Sequence, residues 1–191
     1  MRIVLVRHGA TLWSESGRHT GRTDIPLTEK GRDQARALAP LLSGYLPKTA
    51  LSSPLLRARE TAELAGFGNR VRIDPDLLEW DYGDYEGLTT AQIRHDRPGW
   101  DLFSDGVPNG EGPEEVGGRA KRIATMLRSE NADALLFAHG QILRAVVASW
   151  LGLAPDCARH FALRTATLTI LGTEHEWPAL LTLNGLAPLT P

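Results

Sequence analysis

The sequence holds a single cysteine, Cys157, in 191 residues. That excludes an internal disulfide and any paired-cysteine metal knuckle, and the compartment it fits is the cytoplasm. Basic residues are in no excess: 21 Lys and Arg against 23 Asp and Glu give a formal net charge of -2. Nucleic-acid binders carry a basic stripe, so no nucleic-acid partner is expected. No apolar run approaches the roughly 20 residues needed to span a bilayer, and Met1 leads almost directly into an apolar segment. Neither a membrane partner nor a secretory leader is therefore expected. Internal repeats, low-complexity tracts and linkers are also missing. What remains is an ordinary globular composition, 42% hydrophobic and 23% charged, at a length that suits one domain over 1–191.

Against this background one pattern occurs twice. Ile3-Val4-Leu5-Val6-Arg7-His8-Gly9 and Leu135-Leu136-Phe137-Ala138-His139-Gly140 are short apolar runs, each ending in His-Gly. Their length suits buried strands of a parallel sheet. Functional groups of such sheets gather beyond the carboxyl ends of the strands, so His8 and His139 are expected on one rim.

Around these runs the chain alternates strands and helices. Thr28 caps a helix from about Glu29 to Leu42, with a kink or early stop at Pro40. A strand near Thr49–Leu51 precedes Ser53-Pro54, which reads as a helix start, placing Arg57 in the first turn. A strand at Val71–Ile73 leads to the acidic segment Leu77–Gly87. Residues 98–118 read as an excursion of lid or binding-loop type. A helix from about Pro113 to Arg128, the second His-bearing strand, a helix over Gly140–Leu151 and strands at Thr165–Leu171 and Leu180–Leu183 complete the chain. The expected fold class is α/β, a three-layer α/β/α sandwich around a mostly parallel sheet. Trp100, Trp150 and Trp177 are expected in packing.

The expected rim gathers Arg7, His8, Arg57, His139 and an acid from the 77–87 segment. Phosphoryl transfer needs positive charge on the non-bridging oxygens and an in-line nucleophile. Arginine forks suit the oxygens, and a helix amino terminus under Arg57 would add to them. Neutral imidazole suits the attack. His8 is the expected nucleophile because Arg7 beside it can hold the phosphate, and His139 is expected to hold phosphate oxygens in its charged form. A carboxyl group must protonate the leaving oxygen; spacing alone leaves Glu79, Asp81, Asp84 and Glu86 open. Arg18, His19 and Arg22 on one loop suggest a second anionic group on the substrate.

Four ordered motifs resemble the histidine phosphatase superfamily, which includes the cofactor-dependent phosphoglycerate mutases: Arg7-His8-Gly9, Arg57-Ala58 after Ser52-Ser53-Pro54, Glu79 with Tyr82-Gly83, and Ala138-His139-Gly140. The resemblance covers nearly the whole chain and implies a phosphoglycerate mutase-like fold. It implies that His8 is phosphorylated, that Arg7, Arg57 and His139 form the phosphate pocket, and that Glu79 is the proton donor. It adds Thr20, Gly21 and Arg22 of the substrate-closing loop and Tyr82 as substrate contacts. Ser14 stands where asparagine often donates to phosphate, and Gly140 follows the second histidine at the pocket. No metal or cofactor is implied.

Two departures favour a phosphatase of small metabolites, sugar phosphates or bisphosphates, over a mutase. The chain is short between Glu79 and His139, where mutases carry enclosing structure, and the Glu79–Gly87 segment looks like the phosphatase branch that includes sugar-bisphosphatases. Asn109-Gly110-Glu111-Gly112 ends in glycine where the family usually has serine, so a capping bond is expected to be missing. The alternatives are a phosphoglycerate mutase, an inactive phosphate-binding module, and a zinc hydrolase using His8, His139 and Glu79, which an adjacent arginine disfavours. The sequence leaves monomer and homodimer open.

Overall fold

Strand β1 (Ile3–Arg7) is buried on both faces, and its side chains divide by alternation. Ile3 and Leu5 enter one core cluster, Val4 and Val6 the other. Strand β4 (Ala134–Ala138) divides likewise, Leu136 to the first cluster and Leu135 and Phe137 to the second. Each such fully buried aliphatic side chain contributes roughly 1.5–3 kcal/mol. A strand with no polar face needs cover on both sides, which is why the sheet lies between two helical layers.

The computed structural model describes residues 1–189. Among them, six strands pair in the order β3-β2-β4-β1-β5-β6, the remaining strands being β2 (Thr49–Ser52), β3 (Arg72–Ile73), β5 (Leu168–Glu174) and β6 (Trp177–Gly185). The pairings β1–β4, β2–β4 and β2–β3 are parallel. Those of β5 with β1 and β6 are antiparallel. The helices are α1 (Leu12–Glu15), α2 (Glu29–Arg36), α3 (Leu38–Leu41), α4 (Leu56–Leu64), α5 (Thr90–Asp96), α6 (Leu102–Asp105), α7 (Pro113–Glu130) and α8 (Gly140–Trp150). Residues from α5 to α8 cover the Ile3–Leu5 face, and α3 and α4 the Val4–Val6 face. The α/β/α sandwich read from the sequence is the observed architecture.

Several boundaries differ from the sequence reading. The helix expected over 29–42 breaks at Ala37, three residues before Pro40, into α2 and α3. Proline lacks the N–H and crowds the preceding turn, so the interruption falls ahead of the ring. Helix α4 begins at Leu56 with Leu55 as its cap, not at Ser53-Pro54; Ser53 is drawn instead to His139. Strand β5 starts at Leu168, because Ala166 turns with φ +49 and donates its N–H to the Arg7 carbonyl. The β5–β6 hairpin is longer than expected. Its turn at His175 (φ +51) carries no glycine to signal it.

The 98–118 excursion is packed down rather than lifted as a lid. Trp100, Leu102 and Phe103 are buried, and Trp100 Nε1 donates to the Gly106 carbonyl. The side-chain cap is missing at Gly112, as expected: glycine offers no side-chain oxygen, and only the Glu115 carboxylate, accepting the Gly112 N–H, completes the turn. Trp80, Trp100 and Trp150 are buried, whereas Trp177 is 69% exposed at the edge strand and does not pack as expected.

Candidate active site

Because β1 and β4 are parallel neighbours with Arg7 opposite Ala138, the residues that follow them leave the sheet at the same rim. The His8 N–H bonds the Ala138 carbonyl, and the His8 and His139 rings lie 5.2 Å apart between centroids. The turn after His8 is pressed onto α2. A side chain at Gly9 would run into the Gly31 carbonyl, and one at Gly31 into the Ala10 carbonyl. Two glycines therefore set how closely the nucleophile candidate's loop can seat.

The imidazole of His8 is 5% exposed, and its Nδ1 lies 2.7 Å from the Gly9 carbonyl oxygen. A carbonyl only accepts, so Nδ1 carries the proton and the Nε2 lone pair is left available. Burial first, then Arg57 and Arg7, hold the His8 pKa well below 6.5. The ring is neutral, the form that attacks phosphorus.

The environment of His139 has the same effect. Arg57 Nε donates to His139 Nδ1 at 3.1 Å, and His139 Nε2 lies 2.7 Å from Ser53 Oγ. Since a guanidinium can only donate, Nδ1 must be the bare nitrogen and Nε2–H must face Ser53. Burial, then Arg57, His8 and Arg7, push its pKa well down. The expected charged His139 is thus corrected to a neutral one: a proton on Nδ1 would set two donors head to head.

Arg57 is fully buried, and the rest of its fork is occupied by the 20s loop. Nη1 donates to the Thr23 carbonyl at 2.9 Å, and Nη2 to the carbonyls of Gly21 (2.8 Å) and Thr20 (3.4 Å). Arg57 is therefore placed to act on the cleft through its charge, which the planar fork holds in position between His139 and the loop. The amino terminus of α4 is not open to an anion, because Asp24 Oδ1 already accepts the Leu56 N–H at 2.8 Å.

The end of α8 serves that purpose for a side chain. Glu79 accepts from Gln141 N–H (3.0 and 3.1 Å to its two oxygens), Ile142 N–H (3.0 Å) and Trp80 N–H (3.0 Å). Helix amino termini attract carboxylates in this way, and this seat brings Glu79 to the cleft. Arg7 anchors through Nη1 to the Leu163 carbonyl at 2.7 Å, while its buried Nε has no protein partner.

A cleft of about 130 Å³ opens over these groups, lined by Arg7, His8, Ser14, Arg18, His19, Thr20, Glu79, Tyr82, Gly140, Gln141 and Arg144. Of the expected substrate contacts, Ser14, Thr20, Tyr82 and Gly140 reach it. The Ser14 hydroxyl is already engaged by the backbone of Thr11, the N-cap of α1, accepting its N–H and donating to its carbonyl. Gly21 and Arg22 do not line it. Gly21 is packed against the Trp80 carbonyl, and Arg22 lies 3.5 Å from both Asp81 and Glu111. His19 stacks on Tyr82 with ring centroids 4.6 Å apart, and burial lowers its pKa to about 4. It is neutral and adds no charge for a second anion.

Three participants escaped the sequence reading. Arg144 stands four residues after Gly140, on the same helical face, and its buried Nε has no partner. Gln141 lines the cleft beside it, and Ser53 holds His139. The lining thus carries three arginines against one glutamate. A larger groove, about 930 Å³ between α4 and β3, is lined by Leu56, Arg59, Glu60, Glu63 and Ile73 among others, with no comparable set of reacting groups. Among the described residues no three His, Cys, Asp or Glu side chains gather as a metal-ligand set, and no helix is long and apolar enough to cross a membrane.

Comparison with known proteins agrees with this geometry. Residues 3–185 match the model of the histidine phosphatase superfamily (branch 1). The chain is 41% identical over 179 residues to an acid phosphatase of Mycobacterium tuberculosis, covering 91% of this chain and 87% of that protein. It is 35% identical over 189 residues to a sedoheptulose 1,7-bisphosphatase of Saccharomyces cerevisiae, covering 80% and 68%. A solved structure of a Mycobacterium tuberculosis open reading frame product superposes with a TM-score of 0.91 at 39% identity, covering 96% of each chain. The chain belongs to the histidine phosphatase superfamily. Within it, the chain is a phosphoric monoester hydrolase.

Proposed function

We propose that the chain hydrolyses phosphate esters of small metabolites, sugar phosphates or bisphosphates, through a phosphohistidine on His8. The observation that carries this reading is the Nδ1 bond of His8 to the Gly9 carbonyl. It fixes the tautomer and leaves Nε2 as the nucleophile in a cleft shared with Arg7 and Glu79. Arg7, with its buried Nε unpartnered, takes the phosphoryl oxygens, and Arg57 supplies charge from beneath. At about 4 Å and an effective dielectric near 20, each such charge pair is worth roughly 4 kcal/mol. His139 acts as a neutral ring that fixes Arg57 and packs beside His8.

In the first half-reaction the Nε2 lone pair of His8 forms the N–P bond while the ester P–O bond breaks. Protonated Glu79 passes its proton to the departing oxygen. In the second, the Glu79 carboxylate takes a proton from water as the water oxygen bonds to phosphorus, and the N–P electron pair returns to His8.

The second-anion expectation is kept but moves within the site. Arg22 is committed to Asp81 and Glu111 and His19 is neutral, so Arg144 and Arg18 are the cations besides Arg7 that line the cleft. The similarity to a sedoheptulose bisphosphatase supports a substrate with two anionic groups. A panel of sugar bisphosphates, sugar monophosphates and a phosphopeptide, assayed with and without EDTA, tests the reading. Preference for a sugar bisphosphate with full activity in EDTA is expected. Preference for the phosphopeptide overturns the substrate class, and loss of activity in EDTA overturns the metal-independent mechanism.

A further inference from the structure

One buried ion pair is used by no step above. Arg119 is 8% exposed, and its Nε and Nη2 donate to Glu111 Oε1 (2.9 Å) and Oε2 (2.7 Å) as a two-pronged pair. A buried pair of this kind is poor evidence of stabilisation by itself, because desolvation offsets the attraction. Its remaining bonds are more informative. Arg119 donates to the carbonyls of Asp76 (2.9 Å), Leu78 (2.6 Å) and Glu79 (3.4 Å). Glu111 Oε2 accepts the Asp81 N–H (2.9 Å), its carbonyl accepts Trp80 Nε1 (2.8 Å), and its N–H donates to the Asp81 carbonyl (3.0 Å). Between them the two residues grip Leu78, Glu79, Trp80 and Asp81 in turn. That stretch forms no helix or strand, so its backbone groups have no ladder to satisfy them and depend on such partners.

We propose that Arg119, locked by Glu111, is the positioning residue for Glu79, holding the backbone from which that carboxyl reaches the leaving-group oxygen. Arg119 touches neither substrate nor reacting atoms. It acts through the segment, and Arg22, 3.5 Å from Asp81 and Glu111, ties the same strut to the loop whose carbonyls hold Arg57. The proposal rests on Glu79 being the proton donor, and its experiment separates the two ideas.

Single-turnover phosphorylation is measured with p-nitrophenyl phosphate, whose leaving group departs without a proton, and with the best alkyl phosphate of the panel above, whose leaving group needs one. General acid catalysis contributes on the order of 10²–10⁴-fold. Arg119→Lys, a variant that keeps the charge but cannot form the fork, is expected to lose about 10- to 100-fold on the alkyl ester and little on the aryl ester. Glu111→Gln is expected to lose less, with the same leaving-group dependence. In a Glu79→Gln background, Arg119→Lys should add no more than about a twofold change, the limit for a shared effect. Equal losses on both esters in Arg119→Lys and in Glu111→Gln, or full additivity with Glu79→Gln, overturn the positioning role alone. Should Glu79→Gln itself lose equally on both esters, the proton-donor reading fails and takes the proposal with it.

Discussion

The Nε of Arg57 donates to Nδ1 of His139 across 3.1 Å, so the deepest arginine of the site holds the second histidine by its one bare nitrogen. The same guanidinium collects three carbonyls of the 20s loop. An ammonium group has no planar fork with which to do both. Arg57→Lys is therefore expected to lower kcat/KM by about 10² or more while leaving the fold intact, as for loss of a preorganised electrostatic group. Steady-state kinetics with circular dichroism as a folding control checks this; near-normal kcat/KM would show that charge alone suffices.

A phosphoenzyme should accumulate on rapid quenching, labile in acid and stable in base as expected of a phosphoramidate. It should be missing in His8→Ala, whose kcat falls by at least about 10³-fold, the scale of losing a nucleophile. Label persisting in His8→Ala, or stable in acid, would assign the attack to another group.

Arg144→Met removes the cleft cation whose Nε is unpartnered and retains most of the side chain's bulk. For a sugar bisphosphate, KM is expected to rise about 10-fold or more, since a charge-assisted bond contributes roughly 1.5–3 kcal/mol. For p-nitrophenyl phosphate, which has no second anion, KM should hardly move. Equal shifts on both substrates would remove Arg144 from substrate choice.

Acidification should unfold the protein through its buried imidazoles. His8 and His139 titrate well below 6.5 in the folded state, and His19 at about 4, whereas in the unfolded chain each titrates near 6.5. Below that value the unfolded state binds more protons, so stability present above pH 6.5 is lost as pH falls toward each folded pKa. The loss approaches about 1.4 kcal/mol per pH unit for each histidine. Urea unfolding midpoints at pH 7.5 and pH 5 check it; His19→Gln should flatten the dependence, and an unchanged midpoint in the native protein would contradict the neutral assignment.

The strands could be read directly because β1 and β4 are apolar throughout, and only a sheet covered on both faces tolerates that pattern. His8 and His139 follow those strands immediately, so their shared rim was legible too. Ser53 was not, since Ser-Pro has the same local signature whether it caps a helix or, as here, turns a hydroxyl toward a ring 86 residues away. The Trp177 error has a related cause: hydrophobicity indicates that a residue can be buried, while the place of β6 at the sheet edge leaves it in water.

Local sequence thus determined which chemical groups the chain carries, the order of its elements and the two strand ends that present His8 and His139. Tertiary structure alone decided protonation and pairing. It made both rings neutral by burial beside arginines, assigned Arg22 to Asp81 and Glu111, and brought Arg144 to the cleft. Periodicity reports which face a residue occupies, but charge state and partner depend on distances between segments far apart in the chain, which only the folded arrangement sets.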